Sequence, residues 1–395
     1  MTTFESIFVP APLRDAVSDA AWIGAMVDVE AALARAEARA GVIPADAAEL
    51  IVAAYTGGAV DAPRLIEEGR ASGTPVEPLV RALRSRVDSD AARYVHFGAT
   101  SQDIVDSAAM LVARRALSMI DQELAAVEAL CGGLARRHRD TPMAARTLLQ
   151  QAVPTTFGYK AAGWLVAVHA ARARLAILGE TLPAQLGGAA GTLAPLGPYA
   201  LEVLHHFAEE LGLAEPMLPW HTNRQVVTQL GAALAAAASA AAKIGVDIAL
   251  LAQTEVGEVA EAEPGSSTAM PQKRNPVGAV LAGACARHVR GYATTLAESV
   301  VAEHERAIGA WHAEWGALSG ALAFTGGAVA AIHRSLDGLE VDVARMRTNL
   351  DLTGGGIVSE RLAYLPAGEP LEIDPADYLG SAGAFVDRTL EQTGQ

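Results

Sequence analysis

Apolar positions along two long stretches of the chain recur at alternating spacings of three and four. In the first, Leu117, Ile120, Leu124, Val127, Cys131 and Leu134 line one face and predict a helix from Ser101 to about His138. In the second, Leu230, Leu234, Ala237, Ala241, Ile244, Ile248 and Leu251 keep the same alternation and predict a helix from about Val226 to Glu255. Alanine on this seam allows neighbouring helices to approach closely, which suits either a subunit interface or an ordinary intrachain packing face. A third long helix is expected from Asn275-Pro276, with asparagine as N-cap and proline at the first helical position. Nearer the start, VDVEAALARAEARAGVIP reads as an amphipathic helix stopped by Gly41 and Pro44. Strand-like alternation is scarce. The expected fold is all-α: a helical segment over 1–98, a central long-helix bundle over 99–335, and a small loop-rich end segment over 336–395.

Composition supports helix, since aromatics are only 5% and the apolar content is mostly Ala, Leu and Val. A formal charge of −15 argues against nucleic acid as a partner, because phosphate would be repelled. It also means that an anionic ligand must be held by a few local positive groups. Only Lys160, Lys243 and Lys273 are lysines among 30 basic residues. Cys131 and Cys285 show no metal-ligand spacing and suggest no disulfide framework. The opening MTTFESIFVP lacks the pattern of a signal peptide. Apolar runs are interrupted by charge before membrane length, so no membrane association and a cytoplasmic location are expected.

Four segments concentrate chemistry. PGSSTAMPQKRNP, Pro264 to Pro276, crowds Ser266, Ser267, Thr268, Lys273 and Asn275 between two helices. A flexible connector ending in an Asn-Pro helix start accounts for Gly265, Asn275 and Pro276 but not for the lysine or the hydroxyl cluster. A loop closing over an anion, with a proton-transfer group on it, accounts for all of them. HFGATSQDIVDSA opens the first long helix. Thr100 and Asp103 resemble a capping box, while Thr100, Ser101 and Gln102 at a helix N-terminus also suit a carboxylate. His96 is a donor or a buried structural histidine. ARTLLQQAVPTTFG places Arg146, Thr147, Gln150 and Gln151 before an expected proline-led helix start, and LPWHTNRQ places His221 and Arg224 at the entry to the second long helix. His304 and His312 lie two helical turns apart with no third ligand at matching spacing, so no metal is expected. No Gly-rich phosphate loop, dinucleotide fingerprint or Gly-x-Ser-x-Gly elbow is present.

Taken in order, these segments resemble the fumarase/aspartase superfamily, which includes adenylosuccinate and argininosuccinate lyases. TEVGEVAE, PWHTNR, EHERAIGAWHAEW and DPADYLGSAGAFVDR are similar to its 3-carboxymuconate-cyclising branch. The resemblance implies a three-part all-α fold, a homotetramer whose active sites are built from three subunits, and no metal or organic cofactor. It implies a small polycarboxylate substrate: cyclisation of 3-carboxy-cis,cis-muconate to 4-carboxymuconolactone, in protocatechuate breakdown. A related lyase acting on a substituted succinate and a non-catalytic helical tetramer are the alternatives. It further implies that Ser267 or Ser266 transfers a proton beside Lys273, and that His96, Thr100, Ser101, Gln102, Thr147, Gln151, His221, Arg224 and Asn275 hold substrate. Three features depart from the superfamily pattern. Ala269 adds a residue to the loop, which leaves two serines for one position; counting back from Met270 selects Ser267. Leu148 and Gln151 stand where many relatives carry histidine. The end segment between SERLA and DPADYLG is short.

Overall fold

The computed structural model describes residues 4–56, 60–362, 364 and 373–395. Five helices form its centre: Ser101–Arg137, Phe157–Glu180, Gln225–Leu251, Val277–Glu298 and Ala310–Leu336. They run alternately up and down. The Phe157 helix returns from the end of the Ser101 helix, where Gly158 lies against Ala135 and His138 so closely that any Cβ would strike backbone. Gly245 abuts Ala279 and Gly231 abuts Leu296, which fixes the Gln225 and Val277 helices as antiparallel neighbours. The Asp19–Arg39 helix, capped by the Ser18 hydroxyl at Ala21 N, packs outside the bundle, and Gly41 ends it at φ +71°.

Both predicted stripes are core. Leu117, Ile120, Leu124, Val127, Cys131 and Leu134 are buried, as is every residue of the Leu230–Leu251 seam. The seam therefore packs within its own chain, and a subunit interface is not needed to keep it from water. The third helix starts one residue later than expected: Pro276 occupies the cap position and Val277 is the first helical residue. Its free first-turn amides are met from outside the helix. The buried Glu261 carboxylate accepts from Gly278 N (3.2 Å), Ala279 N (3.0 Å) and the Ser335 hydroxyl (2.6 Å).

Two sequence readings are corrected. ARTLLQQAVPTTFG does not lead into a helix at Pro154. It forms an antiparallel hairpin, β1 (Pro142–Thr147) and β2 (Gln150–Thr156), and the helix begins at Phe157 with Thr156 as its N-cap. The two-residue turn is Leu148-Leu149, both left-handed at φ 50° and 64°, where glycine or asparagine is the usual choice. Propensity could not reveal a hairpin whose turn lacks turn residues. Three helices, Phe157–Glu180, Gln225–Leu251 and Ala310–Leu336, are also long and apolar enough to cross a membrane, contrary to the reading that charge interrupts every such run. Here they pack together in the bundle. Residues 365–372 of the short end segment lie outside the described residues.

Candidate active site

The predicted residues gather at opposite ends of the bundle. At the end where the Ser101 and Gln225 helices begin, Asp103 is the organising group. Its buried carboxylate accepts from His221 Nε2 (2.7 Å), Gly187 N (3.0 Å), Gly188 N (2.8 Å) and Thr100 N (3.0 Å). The Thr100 contact is one arm of the expected capping box. The other donors come from far along the chain, and they turn a cap into a junction for two loops. Gly187 is required there: a Cβ would sit 2.7 Å from the His221 ring.

One turn further, Asp106 and Glu314 enclose Arg224. The guanidinium donates to Asp106 Oδ1 (2.9 Å) and Oδ2 (2.7 Å), and to Glu314 through Nε (3.0 Å) and Nη2 (2.5 Å). Trp311 Nε1 adds a bond to Asp106 at 2.9 Å. Burial raises the Glu314 carboxyl above its ordinary range, against the opposing pull of Arg224. Arg224 is therefore committed to two carboxylates inside the fold, and this geometry assigns it to holding three helices together.

Gln102 is likewise engaged, donating to His221 O (2.9 Å) and Asp106 (3.1 Å) and accepting from Arg306 Nη1 (2.9 Å). Arg306 was not singled out from sequence as a site residue. It caps this end from the loop before the Ala310 helix, and its remaining bonds reach the carbonyls of Gly188 and Ala189. Among the described residues, every hydrogen-bond partner of Arg306 is neutral, and no bonded carboxylate compensates its charge. Thr100 and Ser101, just before Gln102, are half-buried. His96, at a left-handed φ of +61°, meets the buried Glu30 through Nδ1 at 2.6 Å. Burial works against a charged ring, but Glu30 and then Asp103 outweigh it, and His96 titrates above the ordinary histidine value.

The second set lies at the far end. Arg146 makes a bidentate pair with buried Glu258 (2.6 and 3.0 Å), which also accepts from Asn349 Nδ2 at 2.8 Å. Gln151 donates to Asn349 O at 2.9 Å, its buried Oε1 has no hydrogen-bond partner among the described residues, and Thr147 is exposed at the hairpin tip with Leu148 and Leu149. Lys160, half-buried near Asp247 and Glu258, is lowered by desolvation.

The serine-lysine loop rises from this same end. Its base is closed by a bridge between Gly265 and Asn275 (2.8 and 3.2 Å), and the Asn275 side chain also donates to Gly265 O. Arg274 anchors the base further through Glu340 and the Glu261 carbonyl. Beyond it the loop is open. Ser266 and Lys273 are exposed, and Ser267 is half-buried with its Oγ accepting from Met270 N at 3.2 Å.

Helix length measures the separation. The 27-residue Gln225 helix alone places His221 and Arg224 on the order of 40 Å from the loop that follows it. One chain thus brings together His96, Thr100, Ser101, Gln102, His221 and Arg224, and separately Thr147, Gln151, Ser266, Ser267, Lys273 and Asn275. Asp106, Glu258, Glu261 and Glu314 were missed by sequence reasoning, and Asp103 was read only as the partner of a helix cap. Their one legible signal was an acid within an otherwise apolar helix face, as at Asp103, Asp106 and Glu314. The described residues also hold His205, His206 and Glu209, on the Ala200–Leu211 helix, close enough to share a metal ion.

A protein-family model described as Lyase matches residues 12–291. A nitrosuccinate lyase of Streptomyces davaonensis is 50% identical over 89% of this chain and 77% of its own length. A 3-carboxy-cis,cis-muconate cycloisomerase of Pseudomonas aeruginosa is 41% identical over 98% of this chain and 96% of its own. The crystal structure of the 3-carboxy-cis,cis-muconate lactonizing enzyme of Pseudomonas putida superposes with a TM-score of 0.93 at 38% identity, covering 99% of each chain. With its all-helical core and its ordered polar segments, the chain belongs to the lyase family, within the fumarase/aspartase superfamily.

Proposed function

We propose that the protein is a homotetrameric cycloisomerase that converts 3-carboxy-cis,cis-muconate to 4-carboxymuconolactone in protocatechuate breakdown, each site being assembled from different subunits. The observation carrying the assembly is the separation of the two polar ends within one chain. A loop with exposed serines and a lysine, a helix length away from the His96–His221 end of its own chain, fits a neighbour that presents that end. The strained, exposed Leu148-Leu149 tip fits the same view, since such a turn is stabilised by contacts beyond its own hairpin.

In the reaction, one substrate carboxylate oxygen bonds to a diene carbon. The displaced π electrons develop as an aci-carboxylate, and a proton is delivered to the adjacent carbon. The protein supplies charge stabilisation through Lys273 and a proton from Ser267. Similarity over nearly the full length to cycloisomerases supports this substrate.

The higher identity to a nitrosuccinate lyase favours a second reading with the same groups reversed. The loop serine would take a proton from carbon beside a carboxylate, and the substituent on the neighbouring carbon would leave with its bonding electrons. Incubating the purified protein with each compound separates the two readings. Loss of diene absorbance from 3-carboxymuconate supports the first, and release of nitrite from nitrosuccinate supports the second. Sedimentation as a stable monomer would refute the shared site.

A further inference from the structure

Glu30 lies on the inner face of the Asp19–Arg39 helix, 1% exposed, and none of the chemistry above uses it. Its Oε1 meets His96 Nδ1 at 2.6 Å, while its buried Oε2 has no hydrogen-bond partner among the described residues. Among the described residues, no hydrogen bond engages His96 Nε2. The two are joined across 66 positions of sequence, and His96 accepts a left-handed backbone to make the contact. A buried carboxylate held against one ring nitrogen fixes both the orientation of the imidazole and which nitrogen remains available.

The charge pattern at this end gives that nitrogen a use. Arg224 is held between Asp106 and Glu314, so it offers no charge to a ligand, while His221, like His96, has one ring nitrogen on a buried carboxylate. Among the described residues at this end, Arg306 bonds only neutral groups, and His96 and His221 each keep one ring nitrogen outside their carboxylate bond.

We propose that Glu30 is a positioning residue: it locks His96 so that Nε2–H is presented to a substrate carboxylate, and its charge keeps the ring a donor at both nitrogens. This deepens the reading of His96 as a substrate-binding residue and rests on it. The groups facing the ring are Glu30 from the Asp19 helix, Asp103 from the Ser101 helix and Arg84 from the Val76–Arg84 helix. Glu37 and Tyr55 stand behind Glu30 in the same buried cluster. The two acids on the ring outweigh Arg84 and burial, consistent with the raised titration of His96.

The test is calorimetric titration with tricarballylate, a plain tricarboxylate, on the full-length wild type, Glu30→Gln and His96→Gln, from about pH 5.5 to about pH 8.5, across the histidine range. Wild-type affinity is expected to hold until pH passes the raised His96 titration and then to fall. Glu30→Gln keeps the shape of the side chain but removes the charge, so the fall moves to lower pH. A shift of one unit corresponds to roughly tenfold weaker binding at a pH between the two titrations. His96→Gln should bind weakly with that pH dependence gone. Unfolding temperatures measured alongside show whether each variant is folded. Wild-type protein that binds no tricarboxylate, or a folded Glu30→Gln with the wild-type pH profile, overturns the proposal. Because the probe is not turned over, this result is independent of which substrate the enzyme converts. Failure with both 3-carboxymuconate and nitrosuccinate would instead remove the functional reading.

Discussion

Glu37 is fully buried one helical repeat beyond Glu30, and among the described residues neither of its carboxyl oxygens has a hydrogen-bond partner. Burial, and secondarily the charge of Glu30, push its pKa from 4.5 up to about 9. The folded chain therefore keeps the proton through neutral pH, whereas the unfolded chain releases it above about 4.5. Since the native state binds more protons than the unfolded state between these values, stability falls as pH rises through that window. At 1.36 kcal/mol per unit, the cost is about 5 kcal/mol at about pH 8 and about 1 kcal/mol at about pH 5. Glu37→Gln has the shape of the neutral acid and no proton to lose. It should stabilise the fold by roughly 4 kcal/mol more at about pH 8 than at about pH 5. Packing differences between amide and acid are common to both pH values and cancel in that comparison. Thermal unfolding of both proteins, followed by calorimetry at matched concentration because assembly shifts the midpoint, measures the difference. Equal gains at both pH values, or none, would refute a buried protonated Glu37.

Three further outcomes are expected. Ser267→Ala should lower kcat by about 10²–10⁴ with little effect on folding, while Ser266→Ala costs much less; steady-state kinetics with the opposite ranking would place the extra Ala269 on the other side of the loop alignment. Lys273→Met should reduce kcat/KM by roughly 2–4 kcal/mol, and a change confined to KM would show that it binds substrate and transition state equally. Because Glu261 already occupies the start of the Val277 helix, the lysine must supply that field largely alone. Finally, mixing inactive Ser267→Ala with inactive His96→Gln under subunit-exchanging conditions should restore activity, since some mixed sites combine an intact loop with an intact histidine; a mixture that stays inactive after exchange would argue against sites shared between subunits.

The long helices were legible because their apolar spacing is a local property of the chain. A stripe such as Leu117 to Leu134 must be buried whatever covers it, so the helix and its inner face follow from sequence. The serine-lysine loop stood out for a similar reason: Ser266, Ser267, Lys273 and Asn275 lie in one short segment, and no local structural need explains them all. What covers a stripe, or faces a polar group, depends on residues far away. The Leu230–Leu251 seam was open between interface and core until neighbouring helices were seen to fill it. Arg224 read as a substrate clamp until Asp106 and Glu314, from two other helices, were found to hold its charge. The Leu148-Leu149 hairpin was invisible because strand pairing and the surrounding fold override turn propensity. Glu30 beside His96 and Glu261 at the Val277 helix start are pairings of groups distant in sequence or across separate elements. Buried charge requires a specific partner, and only the folded chain chooses it.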